Sequence, residues 1–433
     1  MPHIAMVSIP FHGHVNPSLE IIRTLVQRGH RVTYANDPAF AEVIERTGAD
    51  LTPYESTLPA DGGSGTDDPI EQLTLFLDDA IAMLPQLRAA YADDRPDLFL
   101  YDIAGAPARL LGEQWGIPAV QLSSTFVAWD GYEQEMAPAV EAMRADPRGA
   151  DYYRRFAQWL TSEGSSVTDS MAFQGRPTRS LVLPPEALQP HADRVDRSVY
   201  SFIGPVLGDR SHQGTWVRPA GVDNVLLVSL GSAFTRQAEF YRRCVAAFGD
   251  LPGWHTVLQI GRHVDPAGLG TVPDSVEVHQ WVPQLAVLEQ ADAFVTHAGM
   301  GGSSEGLYCG TPMIAVPQAV DQFANAEQLA GLGVARVVDA ATVTAAELRG
   351  TLLALTTDPA VAARSADLKR QARSAGGADR AADLIEAEIA GTAHSHTGTD
   401  RPSVSTPHTY PVQHEVRGVE TVTKQSGPDR LSR

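Results

Sequence analysis

His279 to Asn325 reads HQWVPQLAVLEQADAFVTHAGMGGSSEGLYCGTPMIAVPQAVDQFAN, and this stretch decides the fold. A strand over Val276–Gln280 ends in a tryptophan-bearing loop, Trp281-Val282-Pro283-Gln284. A helical pattern follows, and then an apolar run, Ala293–Thr296. That run meets a polar, glycine-dense turn, His297-Ala298-Gly299-Met300-Gly301-Gly302-Ser303-Ser304-Glu305, which opens another helix. A second apolar run, Met313–Val316, leads through Pro317-Gln318 to Asp321-Gln322 at the start of the next helix. Short apolar runs alternating with helical patterns predict parallel βαβ units. In such sheets ligands bind beyond the carboxyl ends of the strands, where each of these polar clusters falls. In order they are an aromatic platform, a glycine-rich anion cradle, an acidic residue and a carboxylate–amide pair. That set suits a base, phosphates, a ribose and a sugar.

The same alternation extends outward in both directions. His3–Pro10 reads as a buried parallel strand followed by a loop, Phe11–Asn16. The next helix carries Pro17 in its first turn, keeps Leu19, Ile22, Leu25 and Val26 on one face, and ends at Gly29. Strands are expected at Arg31–Ala35, Leu51–Glu55, Asp97–Ile103 and Ala119–Ser123, with helices at Ala39–Thr47, Ile70–Tyr91 and Ala106–Trp115. Residues 60–68 are a loop by composition. Residues 126–175 mix aromatics and charges with weak periodicity and read as surface helices. Strands near Ser180–Leu183 and Val199–Ile203 finish a first domain, residues 1–206. Residues 207–223, rich in glycine, proline and polar side chains, read as a linker. The alternation restarts at Val225–Leu230 in a second domain, residues 224–375, and a last helix covers 376–391. Beyond it, residues 392–433 lose apolar periodicity and gain Thr, His, Ser and Pro, the composition of a disordered tail.

A chain of 433 residues is too long for one ordinary core, which agrees with two domains. Its 33 Lys+Arg against 52 Asp+Glu give a net charge of −19, which repels nucleic acid and anionic membrane surfaces. An anionic ligand must therefore be bound by local geometry against the global field. Cys244 and Cys309 provide neither a disulfide framework nor a metal-ligand spacing, as suits a reducing, cytoplasmic location. The N-terminal MPHIAMVSIPF lacks a basic leader and enters a strand almost at once, and no run is long enough to span a membrane.

The 279–325 stretch resembles the nucleotide-sugar signature of family 1 glycosyltransferases. PFHGHVNPSLEIIRTLVQRGHRVTYA, LPQLRAAYADDRPDLFLYDIA and LVSLGSAFT resemble the macrolide glycosyltransferases of actinomycetes in particular, and the similarity covers roughly residues 3–391. The resemblance implies an α/β fold of the GT-B type: two Rossmann-like domains facing across a cleft, with the last helix crossing back to the first. It also implies UDP-glucose as co-substrate, an inverting O-glucosyl transfer, and a hydrophobic acceptor such as a macrolide, inactivated at its amino-sugar hydroxyl. In the family, the region matching 126–175 covers the acceptor.

His14 sits at the carboxyl end of the first strand, where the resemblance implies the catalytic base. Glycosyl transfer to an alcohol needs a group that takes the hydroxyl proton, and imidazole titrates near neutral pH. His12, two residues earlier, is expected only to shape the loop. Asp102 ends the strand Leu98–Tyr101 and can hold an imidazole in one tautomer; its ordinary alternative is the N-cap of the helix near Ala106. Gly299, Gly301, Gly302 and Ser303 precede a helix whose free amides and dipole can meet a diphosphate. His297 would donate to a phosphate oxygen, and Gly231-Ser232 forms a second small turn near the same phosphates. Trp281 offers a stacking face for the base. The resemblance further implies base pairing by the Val282 backbone, ribose binding by Gln284 and Glu305, and sugar hydroxyl binding by Asp321 and Gln322. No Asp-x-Asp pair occurs, so metal-independent chemistry with no cofactor is expected.

Rival functions are separable. A nicotinamide dehydrogenase needs G-x-G-x-x-G after its first strand, where this chain has PFHGHVNP. A glucosyltransferase with broad taste for flavonoids and phenols shares every residue above. A UDP-sugar epimerase with related domains would act without an acceptor, and a noncatalytic nucleotide-sugar binder would have no use for His14 and Asp102.

Overall fold

The computed structural model describes residues 1–59, 68–208, 210, 213–231, 235–319 and 321–395. Seven strands form the first sheet: β1 (His3–Val7), β2 (Arg31–Asn36), β3 (Asp50–Pro53), β4 (Leu98–Asp102), β5 (Ala119–Ser123), β6 (Ser180–Val182) and β7 (Tyr200–Phe202). They lie in the order β3-β2-β1-β4-β5-β6-β7, every pair parallel. A second sheet holds β8 (Asn224–Ser229), β9 (Trp254–Gln259), β10 (Val276–His279), β11 (Ala293–Thr296), β12 (Met313–Ala315) and β13 (Ala335–Val337). Its order, β10-β9-β8-β11-β12-β13, is again wholly parallel. Strands covered on both faces should be continuously apolar, and Ile4-Ala5-Met6-Val7 and Val225-Leu226-Leu227-Val228 are fully buried. Each sheet is a Rossmann-like doubly wound unit, and together they make the two-domain GT-B architecture.

The strand order reverses once per sheet, between β1 and β4 and between β8 and β11. Crossovers leave these neighbouring strands toward opposite faces, which opens a crevice at their carboxyl ends. Register sharpens the effect. Val7 lies beside Tyr101, so the loop after β1 and Asp102 emerge together. Likewise Ser229 lies beside Thr296, so Leu230-Gly231 and His297 emerge together.

Several element bounds differ from the sequence reading for local reasons. The expected loop Phe11–Asn16 contains one helical turn, His12–Val15. The expected helix Ala39–Thr47 is split into a 3-10 turn, Pro38–Phe40, started by the Asp37 side chain accepting from Ala39 N–H, and a short helix, Ala41–Glu45. Residues 126–175 do form helices, Tyr132–Ala145, Pro147–Ser162 and Ser170–Gly175, and the first of these buries none of its residues. Expected loop residues 60–67 lie outside the described residues, as does the expected tail from residue 396 onward. No helix among the described residues is long and apolar enough to cross a membrane.

The last helix, Gly377–Ser395, runs four residues beyond the expected end. It packs on the helix Leu19–Gln27, putting Ala381, Ala382 and Ile385 into the core of the first sheet. Around that seam Arg28 pairs with Asp379, Asp383 and Glu386, and His30 with Glu386 at 2.9 Å. Asp379 and Asp383 are largely solvated, so each of their ion pairs contributes about 0–1 kcal/mol, whereas a fully buried isoleucine contributes several times that. Ile385→Ala is therefore expected to cost about 2–4 kcal/mol and Asp383→Ala less than about 1 kcal/mol. Urea unfolding of the two variants beside wild type measures this, and equal midpoint shifts would show that charge, not burial, anchors the helix.

Candidate active site

Both crevices open onto one cleft of about 720 Å³, lined from the first sheet by His12, Gly13, His14 and Ile103 and from the second by Gly231, His297, Gly299 and Glu305, among others. Two further cavities, about 630 and 640 Å³, contain none of the residues singled out in the sequence.

His14 lies in the helical turn after β1, and its Nδ1 is 2.6 Å from Asp102 Oδ2. The other carboxylate oxygen accepts from the Ala104 amide at 3.1 Å. Asp102 is thus fixed by the turn it helps to close, and the N-cap position of the following helix belongs to Gly105 instead. A Cβ at Gly105 would lie 2.9 Å from the Val7 carbonyl and 3.1 Å from Asp102 Oδ1, so only glycine lets the turn pass there. A carboxylate at Nδ1 selects the tautomer with its proton there, leaving Nε2 as a base. The Asp102 side chain is almost wholly buried and the His14 ring one-fifth exposed, so the pair is anchored inside and reaches the cleft through the imidazole. His12 packs its ring on Phe40 at 5.0 Å, as a shaping residue would.

Across the cleft, the cradle helix is Met300–Cys309, with Gly299 as N-cap. Its first backbone bond runs from Ser303 N–H to the Gly299 carbonyl, which leaves the amides of Met300, Gly301 and Gly302 as the donors for an anion. Ser303 departs from the sequence expectation: its amide is spent inside the helix, and its hydroxyl is buried away from the cleft with no hydrogen-bond partner among the described residues. Gly301 and Gly302 likewise sit in the first turn of the helix rather than ahead of it.

Preceding the cradle, Ala298 has a φ of 59°, a left-handed conformation that costs a non-glycine residue about 1 kcal/mol or more. The turn is held from both sides, by Thr296 Oγ1 accepting from Ala298 N–H at 3.1 Å and by Asn325 Nδ2 donating to the Ala298 carbonyl at 2.9 Å. Thus the strained residue orients both His297 and Gly299. The His297 ring lies between two glycines; a Cβ at Gly231, whose φ is 77°, would fall 2.7 Å from Cε1, and one at Gly299 would strike Nε2. Burial lowers the pKa of His297 to about 4, and its Nδ1 has no partner among the described residues. His297 is therefore a neutral imidazole at pH 7, a one-proton donor rather than a cation. Ser232, the expected companion of Gly231, lies outside the described residues.

Trp281 is 56% exposed on the loop after β10, so it is no core tryptophan and presents a free face. Val282 narrows the expectation that its backbone pairs with a base edge. Its side chain is buried and its N–H donates to Gln259 Oε1 at 3.0 Å, since a buried amide needs a partner. Only the Val282 carbonyl is left for a base edge. Asp321 accepts from Asn325 Nδ2 at 3.0 Å, and burial raises its pKa. Gln322 Oε1 is committed to the Gln318 and Ala319 amides at 2.9 and 3.3 Å, leaving its amide nitrogen as the donor for a ligand. Glu305 is buried, with Gln284 Nε2 donating to Oε2 at 2.6 Å and Arg210 Nη1 donating to Oε1.

Three residues on which this geometry depends were missed in the sequence. Asn325 ties the strained turn to Asp321, and its spacing of four from Asp321 on a helix was the available signal. Gln259 joins Val282 to the Gly231 carbonyl, to which its Nε2 donates at 3.1 Å. Arg210 reaches in from the segment between the sheets, which composition marked only as a linker.

This geometry has counterparts. Residues 210–369 match the family described as UDP-glucoronosyl and UDP-glucosyl transferase. The chain is 58% identical to the oleandomycin glycosyltransferase of Streptomyces antibioticus over 407 residues, 93% of this chain and 94% of that protein. It is 35% identical to the NDP-glycosyltransferase YjiC of Bacillus licheniformis, over 90% of this chain and 98% of the relative. Among solved structures, the glycotransferase of kitacinnamycin superposes with a TM-score of 0.85 at 57% identity, covering 90% of this chain and all of the other.

The environment of His297 carries a pH signature. A histidine whose folded pKa lies below its ordinary 6.5 stabilises the fold fully above that value, and the contribution is lost as pH falls from 6.5 toward about 4. In a ¹⁵N-detected NMR titration, one imidazole should stay neutral from pH 7.5 down to about 5 and vanish from the spectrum of His297→Asn. A His297 midpoint at pH 6 or above contradicts the burial argument.

Proposed function

The chain belongs to the family of UDP-glucoronosyl and UDP-glucosyl transferases, and from that premise we propose that it transfers glucose from UDP-glucose to a macrolide hydroxyl with inversion. The observation that carries the reading is the facing of two half-sites across one cleft: the His14–Asp102 pair on one wall, the amides of Met300–Gly302 and His297 on the other. The first wall can take a proton from an acceptor alcohol. The second can bind a diphosphate leaving group.

In this reading the acceptor oxygen attacks the anomeric carbon as His14 Nε2 takes its proton. The bond from that carbon to the diphosphate oxygen breaks on the opposite face, and the electron pair leaves with UDP. One in-line displacement turns an α-linked donor into a β-glycoside. Asp102 stabilises the imidazolium that forms. The neutral His297 and the helix amides compensate the charge growing on the diphosphate, the work of preformed donors in a dry site. Those groups supply what a divalent cation would, so the proposed reaction needs none. Trp281 stacks the base, Gln284 and Glu305 take the ribose, and Asp321 and Gln322 take the sugar hydroxyls. Residues 1–206 would hold the acceptor and 224–375 the donor.

Macrolide acceptors are favoured by the 58% identity to an oleandomycin glycosyltransferase, and glucosylation of the amino-sugar hydroxyl would inactivate such an antibiotic. Nearly equal identity to a glycotransferase of kitacinnamycin supports a second reading, a broader range of natural-product acceptors including phenols. One experiment separates them. Mass spectrometry of incubations with UDP-glucose, EDTA and a panel of macrolides, flavonoids and phenols should show a hexose added to a macrolide. His14→Ala should lower kcat for that alcohol by roughly a hundredfold or more, and by much less for thiols or acidic phenols, which need no base. Phenols modified while every macrolide is left untouched would sink the macrolide assignment. An equal loss for all acceptors in His14→Ala would make that residue structural.

Donor choice follows from Glu305. An ionised carboxylate accepts charge-assisted hydrogen bonds from ribose hydroxyls, and a donor lacking the 2′-hydroxyl leaves one acceptor site unpaired in a largely buried place. A lost hydrogen bond to a charged group is worth about 1.5–3 kcal/mol, so UDP-glucose should exceed dTDP-glucose by at least ~10-fold in kcat/KM. Glu305→Ala should weaken UDP-glucose and compress the ratio. Equal use of both donors by wild type, or full discrimination in the variant, would falsify the role of Glu305.

A further inference from the structure

Glu305 does not stand in the cleft as a bare carboxylate. Its side chain is 5% exposed and is gripped on both oxygens, Oε1 by Arg210 Nη1 and Oε2 by Gln284 Nε2 at 2.6 Å. Gln284 opens the short helix behind the Trp281 loop. Arg210 comes from elsewhere, the segment between β7 and β8, and is 95 residues from Glu305 in sequence. Its side chain is about three-quarters buried, and it is the only lysine or arginine among the described residues that line the cleft.

Burying a carboxylate without a counter-charge is expensive, and the ion pair with Arg210 supplies that counter-charge. The geometry does more than neutralise. An ionised carboxylate has about four acceptor sites, two per oxygen. Arg210 and Gln284 occupy one on each oxygen and thereby leave one on each, which matches the two hydroxyls of a ribose diol. The terminal torsion of a glutamate is broad and roughly two-fold, so nothing within Glu305 itself sets the plane of its carboxylate. Two donors approaching from different elements do set it.

We propose that Arg210 is a positioning residue for the nucleotide donor, pairing with Glu305 and orienting its carboxylate so that one acceptor site on each oxygen is presented to the ribose hydroxyls. This rests on the UDP-sugar reading above. It makes Arg210, from the connection between the two sheets, part of the donor site.

Two other roles for the same arginine predict different behaviour. As a plain counter-charge to the diphosphate, Arg210 would favour every nucleotide diphosphate equally. As a shield over Glu305, it would compete with the ribose, and its removal would tighten binding.

Calorimetric titration with UDP and 2′-deoxy-UDP, on wild type, R210A and R210K, distinguishes the three. The expected result is that R210A weakens UDP by roughly tenfold or more and 2′-deoxy-UDP by distinctly less, so that the ratio of the two falls toward one. R210K should recover part of the ratio, because it restores the charge without the planar fork. In turnover, R210A should raise KM for UDP-glucose while kcat at saturating donor changes by less than about threefold, since a ribose contact is made equally in ground and transition states. If R210A does not fold, R210Q serves the same comparison. Equal weakening of both nucleotides, unchanged binding, or tighter UDP binding each overturns the proposal. A wild type that binds UDP no better than 2′-deoxy-UDP overturns the ribose reading and this inference with it. A wild-type preference that survives intact in R210A overturns this inference alone.

Discussion

Everything chemical in this molecule depends on the single reversal of strand order in each parallel sheet. At β1/β4 and at β8/β11 adjacent strands end level, and their connections depart to opposite faces. That brings residues far apart in sequence to one point. His14 and Asp102, 88 residues apart, meet at 2.6 Å because β1 and β4 are neighbours in register. Gly231 comes to lie against His297 by the same means on β8 and β11. No side-chain interaction has to pull the groups together; the backbone hydrogen bonds of the sheets have done so, and the side chains need only set final orientations.

A second constraint is electrostatic. The chain carries a net charge of −19, yet the first amides of the cradle helix are left free to donate to an anion. Arg210 is the lone lysine or arginine among the described residues lining the cleft, and it is paired with Glu305. Local positive potential must therefore come mainly from oriented dipoles, the first amides of Met300–Cys309 and the protonated nitrogen of a neutral His297. Dipoles fixed by backbone act over short range and at no cost in reorganisation. A solvated lysine cluster would attract polyanions indiscriminately, whereas a few amides fixed at a helix start favour a small anion.

The sequence made the architecture legible because buried parallel strands are nearly uniform in composition. Ala106–Trp115 and Ala119–Ser123 were readable to the residue, and Leu98–Asp102 nearly so. Among candidate site residues, the position of His14, Asp102, His297 and Gly299 was readable, because strand ends and a helix start fix where they emerge; the roles expected of His14 and Asp102 came from the family resemblance, not from position. What escaped was the layer of buried amides and the arginine that hold them. Asn325 and Gln259 act by pairing with main-chain atoms of distant loops, and no local pattern announces such a partner. Ser303 is the converse case: sequence position put its amide among the cradle donors, but the helix hydrogen bond to Gly299 uses it.

Asn325 shows how far one buried amide reaches. Asp321 stands exposed at the start of its helix, and Asn325 Nδ2 donates to its carboxylate at 3.0 Å. Asn325 ties Asp321 to the carbonyl of strained Ala298, so that carboxylate and the turn that orients His297 share one buried side chain. A shift of either is felt by the other, so the start of the helix Gln322–Gly331 and the start of the cradle helix are coupled through a single amide.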